Sequence, residues 1–590
     1  GEAGAGQYSA PPVNPVTVVH KNGPDILHDP WYNKGTGFNK YERDVLALRG
    51  LLPPTPKTFE TQAMRVLEEY RHGITEVAPA DKIVTPEHIR KWRLLQNLQD
   101  RNETLFYRVL LDNFEEMAPI LYTPTVGWAC QNFSTIYRRP RGMFVSLNDR
   151  GKMASLIYNW PADNVDAIVV TDGSRILGLG DLGVNGLGIS IGKLDMYVAA
   201  AGFHPERVLP IVLDVGTDNA ELLQDRYYLG LKQKRVRGQE YFDFMDEFVA
   251  AVTSRWPGVL VQFEDFHSGV AGTLLERYRY NHMIFNDDIQ GTAATVLAGV
   301  YGALAVKGKP PEAVTEEVIV VAGAGSAGMG VVKQVFEGMV RHGLNEEEAA
   351  SRFWIVDKDG LITTGRRGVE SHVRPFARWD ADKEGAPLVD VIRHAKPSTL
   401  IGLSAVGGLF TEDVLTALSK GCKQPLVMPL SNPTQKLECT IAQAARHTKG
   451  TCIYASGSPQ EDLVYNNQTV RCSQANNLYI FPGLAFGAHL AEAGFVSDEM
   501  LMVAAEELPK HITKEARSQG AIFPSLSDMR EISGHIATEV ILQAEREGLI
   551  KGPAKEKLKG GRNHLFQWVR SQMFKPEYSQ FVYRPPGIDE

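Results

Sequence analysis

The chain has 590 residues, 43% of them hydrophobic and 22% charged, with 62 basic against 70 acidic residues and a net charge of −8. This is a globular composition, long enough for roughly three or four domains. It offers no basic stripe for nucleic acid and no apolar run approaching a membrane span, so an anionic ligand must be met by local Arg and Lys.

Residues 1–35 are Gly/Pro-rich and are expected to wrap over the surface; the opening 'GEAGAGQYSAPP' has no initiator Met, as after removal or trimming of an upstream segment. 'LRGLLPP' at 48–54 punctuates the start of a helical region. There Thr85 and Pro86 read as N-cap and first helical residue, with Ile89, Trp92, Leu95 and Leu98 following at helical spacing. A second periodic stretch, 'TLFYRVLLDNF', runs into 'MAPILYTPTVG', where Pro119 and Pro124 are expected to stop it. Residues 1–120 thus read as a helical assembly region. From 155 to 290, 'DAIVVTDG', 'RVLPIVLDVG', 'GVLVQFED' and 'HMIFNDD' read as buried strands. From 318 to 480, 'VIVVAG', 'FWIVD', 'STLIGLS', 'PLVMPLS' and 'TCIYASG' repeat the pattern between helical runs. Continuous apolar strands alternating with helices predict an α/β fold with two doubly wound parallel sheets. The expected boundaries are 121–290 for a catalytic domain, 291–480 for a Rossmann-type domain, and 481–590 for a helical return with a tail. Five cysteines (Cys130, Cys422, Cys439, Cys452, Cys472), odd in number and without C-x-x-C, fit a reducing compartment.

The chemistry concentrates in 'VQFEDF' (261–266) and 'FNDDIQG' (285–291), which deliver Glu264, Asp265, Asp287 and Asp288 at the ends of two apolar runs. Strand ends are where α/β enzymes place their chemistry, and clustered carboxylates repel one another unless cations neutralise them. An all-oxygen set suits Mg²⁺ or Mn²⁺ rather than zinc. Neighbours along a strand point to opposite faces, so Glu264 and Asp265 can share one ion only where the strand breaks.

Two segments match G-x-G-x-x-G, 'GLGDLG' (178–183) and 'GAGSAG' (323–328). Only the second sits between a strand and a helix, with Val332, Val335, Phe336, Met339 and Val340 on one face. Gly323 permits the turn, Gly325 admits a pyrophosphate and Gly328 allows close packing, while the helix N-terminus offers free N–H groups. 'FWIVD' ends in Asp357, placed to accept from ribose hydroxyls and to repel a 2′-phosphate, which favours NAD over NADP. Arg366, Arg367 and Arg374 downstream could meet a phosphate, but surface arginines are the commoner explanation. The first glycine loop is expected to shape a substrate pocket.

Taken together, 'YTPTVG' (122–127), 'VVTDGSRILGLGDLG' (169–183), 'IGKLDMYVAAAG' (191–202), 'LDVGTDN' (213–219), 'QFEDF', 'FNDDIQGTA', 'SNPT' (431–434), 'ASGSP' (455–459) and 'NNLYIFPG' (476–483) closely resemble the malic enzymes. The resemblance runs from about residue 18 to the end, and 'HDPWYNKGTGF', 'DRNETLFYRVL' and 'DKDGLITTGR' resemble most the NAD-dependent members of plant mitochondria. It implies oxidative decarboxylation of L-malate to pyruvate and CO₂, reducing NAD with Mg²⁺ or Mn²⁺, in the mitochondrial matrix. It further implies a homo-oligomer (dimer or tetramer) or a hetero-oligomer with a paralogous subunit. By motif, Glu264, Asp265 and Asp288 are the implied metal ligands, Lys193 the general base and Tyr122 the general acid. Asp287 would hold Lys193 or Asp288, and Arg175 would clamp a malate carboxylate. Asn432 and Asn476 would close over substrate and nicotinamide, and Gly323, Gly325, Ser326, Ala327, Gly328 and Asp357 would hold the dinucleotide. The chain departs from the family pattern at 'HSGVAG' after 'FEDF', at Trp128 and at Ser190, none of them an implied catalytic residue. Arg65 and Arg101 match the arginines of a carboxylic-acid effector site found in some relatives, although their surroundings differ. The rival readings are an NADP-dependent plastid-type or cytoplasmic enzyme, a malolactic-type enzyme that releases lactate, and a non-catalytic regulatory subunit.

Overall fold

A computed structural model describes residues 16–72, 84–380, 383–432 and 434–587. The opening before residue 16 and Pro433 of 'SNPT' lie outside the described residues. The chain forms two compact units, one of Gly1–Trp128 with Phe574–Glu590 and one of Ala129–Met573.

In the first unit, strand β1 (Val16–Val19) runs parallel to the C-terminal strand Gln580–Tyr583. Val19, Ile26, Phe38, Leu46, Leu48 and Phe581 make a small core beside this pair. Helices follow at Phe59–Arg71, Pro86–Arg101, Glu103–Asp112 and Phe114–Leu121. Thr85 is the N-cap that its sequence announces, its hydroxyl accepting from His88 N at 3.3 Å, with Pro86 in the first turn. Pro119 departs from expectation: it lies inside Phe114–Leu121 rather than ending a helix. The break comes earlier, at Asn113, which ends one helix and begins the next, and Pro119 stands within the second at the cost of the backbone bond it cannot donate to the residue four before it. Arg65 and Arg101 are both exposed in this unit.

The second unit holds two sheets. The first contains β2 (Met143–Ser146), β3 (Ala167–Thr171), β4 (Val208–Asp214), β5 (Leu260–Phe263) and β6 (Ile284–Asn286), all parallel in the order β2-β4-β3-β5-β6. β3, β4, β5 and β6 are buried at every position, which explains their nearly continuous apolar runs. β2 ('MFVS') alternates buried and half-buried residues at the sheet edge and is too short to stand out as a strand in sequence.

The second sheet contains β7 (Ile319–Ala322), β8 (Phe353–Asp357), β9 (Gly360–Leu361), β10 (Thr399–Gly402), β11 (Leu426–Pro429) and β12 (Ile453–Ser456). A hairpin of β13 (Leu463–Tyr465) and β14 (Gln468–Val470) stands apart, and β15 (Cys472–Gln474) returns to complete the order β15-β12-β11-β10-β7-β8-β9. Only β8–β9 pairs antiparallel within it. In the sequence between the two sheets, Asp287–Val306 is long and apolar enough to cross a membrane, contrary to the reading that no run approaches that length; 78% of its 18-residue apolar window is buried, as in a core helix. After β15 the chain turns helical at Phe481–Leu490 and Met529–Arg546, which pack on each other.

Each sheet has one point where the strand order reverses: β3 has β4 on one side and β5 on the other, and β7 has β8 and β10. Crevices at the carboxyl ends of such strands are where α/β sheets bind ligands.

Candidate active site

β5 and β6 lie in parallel register with Phe263 opposite Asn286, so Glu264 and Asp287 leave the sheet at the same level. β5 ends at Phe263, and Asp265 then takes φ +54°, a left-handed backbone uncommon outside Gly, Asn and Asp. The strand therefore breaks where the sharing of one ion requires it. Asp265 N donates to Asp288 Oδ2 at 2.7 Å, and Leu177 N, from the loop after β3, donates to Asp265 Oδ2 at 3.0 Å. One oxygen each from Glu264, Asp265 and Asp288 come within 4.8 Å of one another.

Burial, and then the neighbouring carboxylates, push Glu264 and Asp265 well above the usual carboxylate range despite the opposing charge of Lys193; burial followed by Asp287 raises Asp288. Two buried carboxylates and a half-buried third that destabilise one another's charge fit a hard divalent cation.

Lys193 reaches this cluster from the helix Leu187–Met196, which packs on β3 and β4. Its side chain is 1% exposed, and Nζ lies 2.7 Å from Asp287 Oδ2 and 3.1 Å from Glu264 Oε1. The face of Phe481 covers it, 4.2 Å from the ammonium to the ring centroid. Asp287 is also held by Asn477, whose Nδ2 donates to Oδ2 at 3.2 Å and to the Asp287 carbonyl at 3.3 Å. Asn477 was missed in the sequence because it sits 190 residues from its partner and beside the motif residue Asn476. Asn476 itself caps the turn Asn477–Tyr479, its Oδ1 accepting from Leu478 N at 3.0 Å.

Arg175 is exposed in the loop after β3, where its backbone N donates to the Asp265 carbonyl at 3.3 Å. The first glycine loop holds itself: Asp181 accepts from Gly183 N at 3.0 Å and pairs with Arg235 at 2.6 Å, so it is no phosphate cradle. It leads directly into the helix bearing Lys193. Tyr122 belongs to the other unit, where it closes the helix Phe114–Leu121 and is 7% exposed.

At the second switch point, the loop after β7 fits a dinucleotide. Gly323 has φ +121°, and a Cβ there would stand 2.3 Å from the Leu403 carbonyl oxygen; one on Gly328 would stand 2.0 Å from the Gly323 carbonyl oxygen. A Cβ on Gly325 would meet nothing within 4 Å, leaving open space beside exposed Ser326 and half-buried Ala327 at the start of the helix Ser326–Arg341. Val332, Val335 and Met339 of that helix are buried as expected, but Val340 is 36% exposed and Phe336 half-buried.

Asp357 ends β8 next to this loop. Its Oδ2 pairs with Arg366 Nη1 at 2.5 Å, and Arg366 Nη2 pairs with Glu384 at 2.9 Å. Arg366 is thus not the plain surface arginine expected; two carboxylates engage it. Asn432 is exposed after β11, its Oδ1 accepting from Ser458 Oγ at 3.0 Å.

The loops after β10 and β11 are tied by Glu438, fully buried at 0% exposure. Its Oε2 accepts from Ser404 Oγ at 2.7 Å and Ser431 Oγ at 2.6 Å, and its Oε1 from Ser431 N at 3.2 Å. Ser431 Oγ in turn accepts from Ala405 N, whose φ is +56°. Glu438→Gln puts an NH₂ against groups that donate; it should cost about 1–3 kcal/mol of stability and weaken dinucleotide affinity, read by thermal unfolding and by titration calorimetry.

Comparison with known proteins adds the following. The family described as "Malic enzyme, N-terminal domain" matches residues 99–279, and "Malic enzyme, NAD binding domain" matches residues 289–545. A Solanum tuberosum protein named "NAD-dependent malic enzyme, mitochondrial" is 50% identical over 96% of this chain and 93% of its own length. An Arabidopsis thaliana protein named "NAD-dependent malic enzyme 1, mitochondrial" is 49% identical over the same shares. Among solved structures, the malic enzyme of Entamoeba histolytica superposes with a TM-score of 0.52 at 22% identity, covering 90% of this chain and 92% of that one, a likeness of fold.

Proposed function

Because the chain belongs to the malic enzyme family, we propose that it carries out NAD-dependent oxidative decarboxylation of L-malate to pyruvate and CO₂, requiring Mg²⁺ or Mn²⁺. The observation that carries this reading is the convergence of Glu264, Asp265 and Asp288 beside the buried Lys193–Asp287 pair. Glu264, Asp265 and Asp288 would hold a cation that supplies Lewis acidity, and the loop 323–328 with Asp357 would hold NAD, which supplies a hydride acceptor. Lys193 takes the proton from the C2 hydroxyl, a task a lysine performs near neutral pH only in a site that tunes it. Asp287 and Asn477 fix the direction in which Nζ points, and Phe481 keeps water off it. Arg175 is the expected clamp for a malate carboxylate. Asn432 and Asn476 are expected to close over substrate and nicotinamide, and Tyr122 is assigned by resemblance to protonating C3. Following the printed names of its relatives, we place the enzyme in the mitochondrion, and from the family resemblance alone we infer that it works as an oligomer.

Asp357 supports NAD over NADP: a 2′-phosphate there would meet Asp357 and Glu384, and Arg366, the guanidinium between them, is already paired with both. Initial rates of nicotinamide reduction with L-malate and Mn²⁺ test this. We expect kcat/KM for NAD to exceed that for NADP by roughly 100-fold, the scale of a like-charge contact costing a few kcal/mol, and Asp357→Ser to narrow the gap. Preference for NADP would overturn the cofactor assignment. No reduction with either cofactor would overturn the reaction, leaving a lactate-releasing or non-catalytic protein, which lactate assay separates.

A further inference from the structure

Gln262 is the one polar residue of β5 and is fully buried. Residues two apart on a strand share a face, so its side chain lies on the side of Glu264. Its Nε2 donates to Glu264 Oε2 at 2.7 Å, and its Oε1 accepts from the hydroxyl of Tyr197, also fully buried. With Glu264 ionised, as a metal ligand is, chemistry fixes the direction of this chain. An ionised carboxylate only accepts, so the amide must present its NH₂ to Glu264 and its oxygen to the phenol, which must then donate.

Tyr197 lies one helical turn beyond Lys193. Its ring stacks on Phe481 with centroids 5.5 Å apart and planes at 28°, and Phe481 is the ring that covers the Lys193 ammonium. The same tyrosine therefore reaches the lysine through a ring and the carboxylate through an amide. None of this is visible as a motif, because the three residues come from two distant elements.

We propose that Tyr197 and Gln262 are positioning residues for Glu264. They hold Oε2, so that Oε1, the oxygen 3.1 Å from Lys193, is the one presented to the divalent cation. The proposal rests on the reading of Glu264, Asp265 and Asp288 as metal ligands. A residue that orients a ligand of a metal through its hydrogen bond typically controls affinity for that metal by 10- to 100-fold. A chain of polar groups serving only to satisfy one another would leave metal affinity alone.

The test uses the full chain without malate or dinucleotide and reads free aquo-Mn²⁺ by electron paramagnetic resonance. Gln262→Met should weaken Mn²⁺ binding by roughly 10- to 100-fold. Tyr197→Phe, which keeps the ring stack and removes only the hydroxyl, should weaken it by about three- to tenfold, a fraction of that range because the amide remains. NAD affinity, measured by calorimetry on the same variants, should stay within about twofold, since the glycine loop is untouched. Tyr197→Phe guards against a misfolded Gln262 variant, and thermal unfolding identifies one. Unchanged Mn²⁺ affinity in a folded Tyr197→Phe, with Asp265→Asn strongly weakened, would overturn the positioning role and leave the metal site standing. Failure of the wild-type protein to bind Mn²⁺ would overturn the ligand assignment and this proposal together.

Discussion

Lys193→Ala should lower kcat by roughly 10²–10⁴-fold, the range that a positioned general base contributes, with little change in NAD affinity. Lys193→Arg should be nearly as inactive. A guanidinium keeps the positive charge between Glu264 and Asp287 but cannot give up a proton in a protein. Electrostatic anchoring alone would let arginine recover most of the rate, so the pair of variants separates the two roles. The alanine variant also leaves Asp287, fully buried, without its cation. Removing one partner of a buried pair costs about 3–5 kcal/mol, so unfolding of the variant must be followed alongside nicotinamide absorbance. Asn477 still donates to Asp287 in that variant and should limit the loss.

Asp265→Asn is expected to act in opposite directions on activity and on the metal-free fold. Asparagine fits the same space and tolerates the left-handed backbone at φ +54°. The substitution removes one of three mutually repelling carboxylates, so without metal the protein should unfold at a higher temperature. With Mn²⁺ it should bind the ion at least about 100-fold more weakly, beyond the upper range for residues that only support a ligand. Turnover should fall in parallel. A variant that loses stability in chelator would show that the Asp265 carboxylate is held by its bond from Leu177 N rather than opposed by its neighbours' charge.

The strands that carry the site were legible because both sheets are buried on two faces. Apart from Gln262, 'AIVVT', 'VLPIVLD', 'LVQF' and 'IFN' are apolar up to their last residues, and the polar Thr171, Asp214 and Asn286 stand where those strands leave the sheet. The acidic pairs were legible for the same reason, as charges placed at the ends of segments that otherwise shun water. Gln262 escaped notice because a single amide inside 'LVQF' looks like noise until Tyr197 is seen to face it. Asn477 and Glu438 escaped because their meaning lies in partners on other strands' loops. Arg366 read as a surface charge because nothing local announces Glu384, 18 residues away. Pro119 misled in the opposite way: a residue that costs a helix interior one backbone bond stands inside Phe114–Leu121 all the same.

The pairing of β1 with the strand Gln580–Tyr583 bears on how this chain is made. Partners in that ladder are 564 residues apart in the sequence. At about 5–20 residues per second of translation, β1 leaves the ribosome roughly half a minute to two minutes before its neighbour exists. Through that interval its unpaired edge, an open template for another strand, must wait while the two large sheets of the second unit are synthesised and can close. The unit that emerges first is therefore the last that can be finished.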